Sequence, residues 1–114
     1  MWYRAMDAAK ELAKEGISVE IIDPRSLVPF DYETVLESIR KTHKLMIVHE
    51  DHYTGGWGAT LGSYIAEHAI MDLDAPIVRL AALDTPIPFS PKLENFVVPS
   101  TAGILDAARK LAKM

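Results

Sequence analysis

Three short apolar runs, ISVEII (Ile17–Ile22), LMIVH (Leu45–His49) and IVRLAAL (Ile77–Leu83), alternate with stretches whose apolar residues recur every three or four positions. That alternation constrains the fold more than any other feature of the chain. Short runs rich in β-branched residues suit strands, and the 3.6-residue periodicity between them suits amphipathic helices. Strands that alternate with helices form a parallel sheet, because a parallel partner is reached only by a crossover that packs on a sheet face. The expected fold class is α/β, a mainly parallel sheet covered by helices on both faces. Functional loops in such folds leave the carboxyl ends of the strands.

The helices have recognisable ends. Trp2, Met6, Ala9, Leu12 and Ala13 mark a first helix over residues 2–15, stopped by Gly16 and lacking a capping residue at its start. Residues 17–22 follow as a strand, and the prolines at 24 and 29 make DPRSLVP a loop. Asp31 caps a helix through about residue 41, with Val35, Leu36 and Ile39 inward. After the strand at 45–49, a helix over residues 56–71 turns Leu61, Tyr64, Ile65 and Ala69 to the core. The strand at 77–83 leads into a proline-rich excursion over 85–92. Ser100 then caps a last helix, with Ile104, Leu105, Ala108 and Leu111 inward.

A chain of 114 residues supports one core, and no linker or repeat divides it, so residues 1–114 read as one domain. The net charge of −4 argues against a general nucleic-acid or anionic-membrane binder, both of which need a basic face. The lack of cysteine excludes disulfides, thiolate metal sites and thiol nucleophiles, and suits a reducing cytoplasm. No apolar run is long enough to span a bilayer, and the N-terminus lacks the pattern of a signal peptide.

HEDHYTGGWGA (His49–Ala59) concentrates the residue types of chemistry. His49, Glu50 and His52 suit a divalent metal by type, which would make the chain a small stand-alone metal enzyme. Their spacing argues otherwise, since successive side chains on a strand point to opposite faces. The simpler reading is a polar strand end whose carboxylates bind loop amides. The glycines lack the spacing of a phosphate loop and the lysine that completes one. Gly55 and Gly56 suit positive φ at the strand-to-helix turn, while Gly58 and Gly62 suit close approach of another backbone. No serine lies in a nucleophile elbow. Asp72 and Asp74, in DLDAP, are two acids on a corner stiffened by Pro76. An arginine from another protein would pair with them, although composition alone reads the corner as a solvated turn.

Taken in order, IDPRSLVPFD (Ile22–Asp31), VHEDHYTGGWGA (Val48–Ala59), LDAPIVRL (Leu73–Leu80) and LDTPIPFSPKLE (Leu83–Glu94) resemble the C-terminal, transketolase-like domain of 2-oxoacid dehydrogenase E1 β subunits. VPS followed by a terminal amphipathic helix extends the likeness over essentially the whole chain. The His-Glu pair before TGG is closer to the branched-chain type than to some pyruvate-type subunits. The related domain of transketolases and deoxyxylulose-phosphate synthases matches DTPIPFSP less well.

The resemblance implies a three-layer α/β/α domain that builds subunit contacts rather than performing chemistry. It implies thiamine diphosphate and Mg2+ in the parent enzyme, bound outside this domain, with no catalytic, cofactor or metal residue here. The implied partners are the E1 α subunit, a second β subunit in an oligomer, and the peripheral subunit-binding domain of the E2 acyltransferase. Asp74 matches the acidic position that pairs with an E2 arginine. Asp72 adds charge beside it, and the carboxylate of Met114 belongs to the same docking surface. His49–Ala59, with Gly55, Gly56 and Gly58, becomes a structural turn. Against the family pattern the chain lacks the first two strands, one of them central in the sheet. It is therefore expected to be a fragment, a split gene product, or a domain whose sheet is completed differently, and to be inactive alone. The gap would either close by direct pairing of residues 17–22 with 45–49 or be filled by another chain.

Overall fold

A computed structural model describes residues 1–114. The elements are α1 (Trp2–Lys14), α2 (Tyr32–Thr42), β1 (Met46–His52), α3 (Trp57–His68), β2 (Val78–Ala82), α4 (Pro91–Val97) and α5 (Thr101–Ala112), with a single 3-10 turn at Ile70–Asp72. β1 and β2 pair in parallel, Met46 opposite Val78 and Val48 opposite Leu80, with an irregularity before His52 meets Ala82. α2 and α3 pack on one face through Val35, Leu36, Ile39, Ile47, Leu61, Ile65 and Ala69. On the other face α1 and α5 pack on each other, burying Ala8 and Leu12 with Ile104, Ala108 and Leu111. The result is three layers, α/β/α. No helix is long and apolar enough to cross a membrane.

The expected caps are present. Asp31 Oδ1 accepts from the Thr34 N–H at 3.1 Å, and Ser100 Oγ accepts from the Gly103 N–H at 3.0 Å. Gly16 closes α1 at φ +79°. The buried seam of α1 runs through Ala8 and Leu12, whereas Trp2 is 42% exposed.

Residues 17–22 are not a strand, contrary to their sequence pattern. The sheet has two strands, and no backbone group from Ser18 to Pro29 makes a backbone hydrogen bond. A strand exists only through its neighbour, and this stretch has none, so direct pairing with residues 45–49 does not close the gap. Two further corrections concern length. The helix expected to reach residue 71 ends at His68 and continues as the 3-10 turn. The proline-rich excursion is followed by α4, which begins with Pro91 and buries Val97.

Candidate functional site

β1 runs three residues beyond its expected end, to His52, and delivers the chain into the glycine turn. There the acids are consumed by local structure. Asp51 accepts from the N–H groups of His52, at 2.8 Å, and Trp57, at 3.2 Å, which ties the strand end to the start of α3. Those two bonds hold its carboxyl below the usual range. Asp84, at the end of β2, accepts from the Thr54 N–H at 2.8 Å and its hydroxyl at 2.7 Å, and is lowered for the same reason. His52 Nε2 donates to the Thr85 carbonyl at 2.8 Å. Arg79 lies over the Tyr53 ring, 4.2 Å from its centroid, and donates to the Tyr53 carbonyl. The turn is a polar strand end braced against the β2 loop.

His49 and Glu50 point apart, as strand alternation requires. Glu50 lies 3.0 Å from the Met1 amino group beside α1. The His49 ring is pressed against the start of α3, where a Cβ built on Gly58 would sit 2.2 Å from its Nε2. Neither ring nitrogen has a protein partner, and burial pushes the imidazole pKa down. No three His, Asp or Glu side chains are placed to hold a metal.

The glycines divide the work differently from the sequence reading. Gly55 has φ +75°, but Gly56 has φ −67° and needs no special conformation. Gly56 is required for space, since a Cβ there would lie 2.1 Å from the His52 carbonyl oxygen. Gly58 admits the His49 ring. Gly62 faces no close backbone; a Cβ added there would meet Arg79 Cδ at 4.0 Å and nothing nearer.

The acidic corner lies at the other end of the sheet, before β2. Asp74 is exposed and in no ion pair, Asp72 is half-buried, and Ala75 beneath them is buried at the Pro76 bend. Two residues that sequence reading missed organise this end. His43, the left-handed residue closing α2 at φ 58°, accepts the Asp74 N–H at 2.9 Å, and its Nδ1 donates to the Asp72 carbonyl at 2.9 Å. Its neighbour Lys44 donates to the Ala112 carbonyl at 3.1 Å, in the last turn of α5. Consecutive residues thus bind the Asp72–Asp74 corner and the end of the helix leading to Met114, which is 64% exposed. The available signal was the THK sequence at the end of α2, where a left-handed cap was due.

The site thus combines a three-layer α/β/α domain, a space-limited glycine turn and an acidic corner beside the last helix. Residues 1–104 match the family model "Transketolase, C-terminal domain", and the chain belongs to that family. It is 43% identical over 108 residues to the mitochondrial pyruvate dehydrogenase E1 component subunit beta of Dictyostelium discoideum, covering 95% of this chain and 30% of that protein. It is 43% identical over 113 residues to the acetoin:2,6-dichlorophenolindophenol oxidoreductase subunit beta of Cupriavidus necator, covering 99% of this chain and 33% of that protein. The pyruvate dehydrogenase E1 component subunit beta of Rickettsia felis is 38% identical over 107 residues, covering 94% and 33%. The chain spans about a third of the length of these relatives.

Proposed function

We propose that this domain serves assembly and E2 docking in the β subunit of a thiamine-diphosphate-dependent 2-oxoacid dehydrogenase E1 component, whose full complex decarboxylates a 2-oxoacid oxidatively. The E1 α subunit and a second β subunit are the assembly partners in this reading. The observation that carries docking is the binding of the Asp72–Asp74 corner and the C-terminal helix end by His43 and Lys44. The exposed Asp74 carboxylate is thereby offered to solvent beside the end of the last helix. An arginine-bearing partner gains charge-assisted contacts there. Thiamine diphosphate and Mg2+ belong to other parts of the parent enzyme in this reading. A Mg-diphosphate site needs free, convergent oxygen ligands, whereas Asp51 and Asp84 are each engaged by loop amides. The rival reading, a metal enzyme built on His49, Glu50 and His52, has side chains that diverge.

Asp74→Asn tests the proposal in the 114-residue chain titrated with the E2 subunit-binding domain. Losing one member of a desolvated charge pair costs about 2–5 kcal/mol, so affinity for the E2 subunit-binding domain should fall roughly 30-fold or more at low salt. The melting temperature should hardly change, because the side chain is exposed. Unchanged affinity in surface plasmon resonance overturns the docking assignment.

A further inference from the structure

The turn that leads into the acidic corner carries two apolar side chains that the fold hardly uses. Ile70–Asp72 is a single 3-10 turn. Its backbone is fixed by the Asp72 N–H, which donates to the Ala69 carbonyl at 3.1 Å, and by His43 Nδ1, which donates to the Asp72 carbonyl. The packing of this segment falls to the residues on either side. Ala69 is buried, and Leu73 lies against the core formed by α2, β1 and α3. Between them Ile70 is 52% exposed and Met71 93% exposed. Met71 is the most exposed of the five methionines, and Met1, Met6 and Met46 are half-buried. Two adjacent apolar side chains held in water on a fixed turn gain little burial from folding. Asp74, three residues after Met71, is exposed beside them. An apolar centre with a charged rim is the anatomy of an interface.

We infer that Met71 is an oxidation-sensitive apolar anchor of the docking corner. As the thioether it packs, with Ile70, against an apolar side chain that the basic partner sets beside its arginine. As the sulfoxide it releases that partner. The inference rests on the docking reading of the Asp72–Asp74 corner and adds its regulation. A flexible thioether adapts its shape to an apolar partner and makes favourable contacts with an aromatic edge. Hydrogen peroxide is the oxidant. The Met71 sulfur attacks one peroxide oxygen and the O–O bond breaks; the proton of the transferred hydroxyl joins the departing hydroxide, which leaves as water. Sulfur gives up two electrons and the peroxide takes them. The sulfoxide oxygen is a strong acceptor, and burying it against an apolar surface without a donor is costly. Its ionised neighbours Asp72 and Asp74 offer no donor, and the partner's arginine is engaged by Asp74. Methionine sulfoxide reductases, one for each epimer, restore the thioether.

The test titrates the 114-residue chain with the E2 peripheral subunit-binding domain before and after graded hydrogen peroxide, with peptide mass mapping of each methionine. Met71 should oxidise ahead of Met6 and Met46. Affinity should fall in step with its sulfoxide, roughly tenfold or more, the loss expected when one methionine side chain is no longer buried. Met71→Leu should bind like the unmodified chain and keep that affinity through the same treatment, which separates Met71 from the other methionines. Met71→Gln, polar and of similar length, should bind weakly without oxidant while its melting temperature stays unchanged. Both sulfoxide reductases with dithiothreitol should return the lost affinity. Unchanged or tighter binding with Met71 fully oxidised overturns the inference, as does an equal loss in Met71→Leu; in both cases the docking reading survives. An untreated chain that fails to bind the domain overturns the docking reading, and this inference with it.

Discussion

The contact between Gly58 and His49 makes a quantitative claim about the glycine turn. A Cβ at Gly58 would lie 2.2 Å from His49 Nε2, 2.5 Å from its Cδ2 and 3.2 Å from Ile47 Cγ2. Ordinary contact needs about 3.5–4.0 Å, so the ring must retreat by more than an ångström with Ile47 already close. Overpacking of this kind costs about 1–3 kcal/mol, against which the better helix propensity of alanine returns up to about 1 kcal/mol. Gly58→Ala should therefore destabilise by about 1–2 kcal/mol, roughly 3–12 °C in melting temperature for a domain of this size. His49→Ala removes the obstacle. In that background Gly58→Ala should be neutral or slightly stabilising, giving a coupling of about 2 kcal/mol. Gly56→Ala is the control, because its Cβ would strike the His52 backbone oxygen at 2.1 Å, and deleting the His49 ring cannot relieve that. Urea unfolding followed by tryptophan fluorescence reads every one of these variants, since Trp57 starts α3 at this turn. Strict additivity of the Gly58 and His49 changes refutes the packing argument.

The same histidine has a pH signature. Burial holds its folded pKa below the usual value of about 6.5, so the unfolded chain binds more protons below that pH. Its contribution to stability should be complete above about pH 6.5 and decline as pH falls from there toward the depressed folded value; a melting profile of His49→Ala that retains this decline contradicts the assignment. At the other end of the domain, Ser100→Ala removes the α5 cap and should cost about 1 kcal/mol in denaturant unfolding, with an unchanged midpoint as the contrary result.

Local chemistry made much of this domain legible. The α2 and α5 boundaries follow from Asp31 and Ser100, and their buried faces from helical periodicity, because cap and face are written within one segment. Strand alternation likewise foretold that His49 and Glu50 diverge. Non-local facts were not legible. ISVEII has strand composition, yet whether it pairs depends on a neighbour that its own residues do not encode. Gly56 looked like a conformational glycine, and only the position of the His52 carbonyl reveals it as a steric one. α4 was concealed by a run of prolines, although Ser90 followed by Pro91 is a usable helix start. The roles of His43 and Lys44 required the corner and the last helix to be seen at the same end of the fold.

Docking at that end is the central functional claim, and chemical-shift mapping on the isotopically labelled chain tests it most directly. Titration with the E2 peripheral subunit-binding domain should move the resonances of His43, Lys44, Asp72–Asp74 and Ala112–Met114 together. The His49–Ala59 turn, held by its own hydrogen bonds, should stay still. Shifts centred on His49–Ala59, or a corner unaffected at saturating E2 domain, would contradict the account.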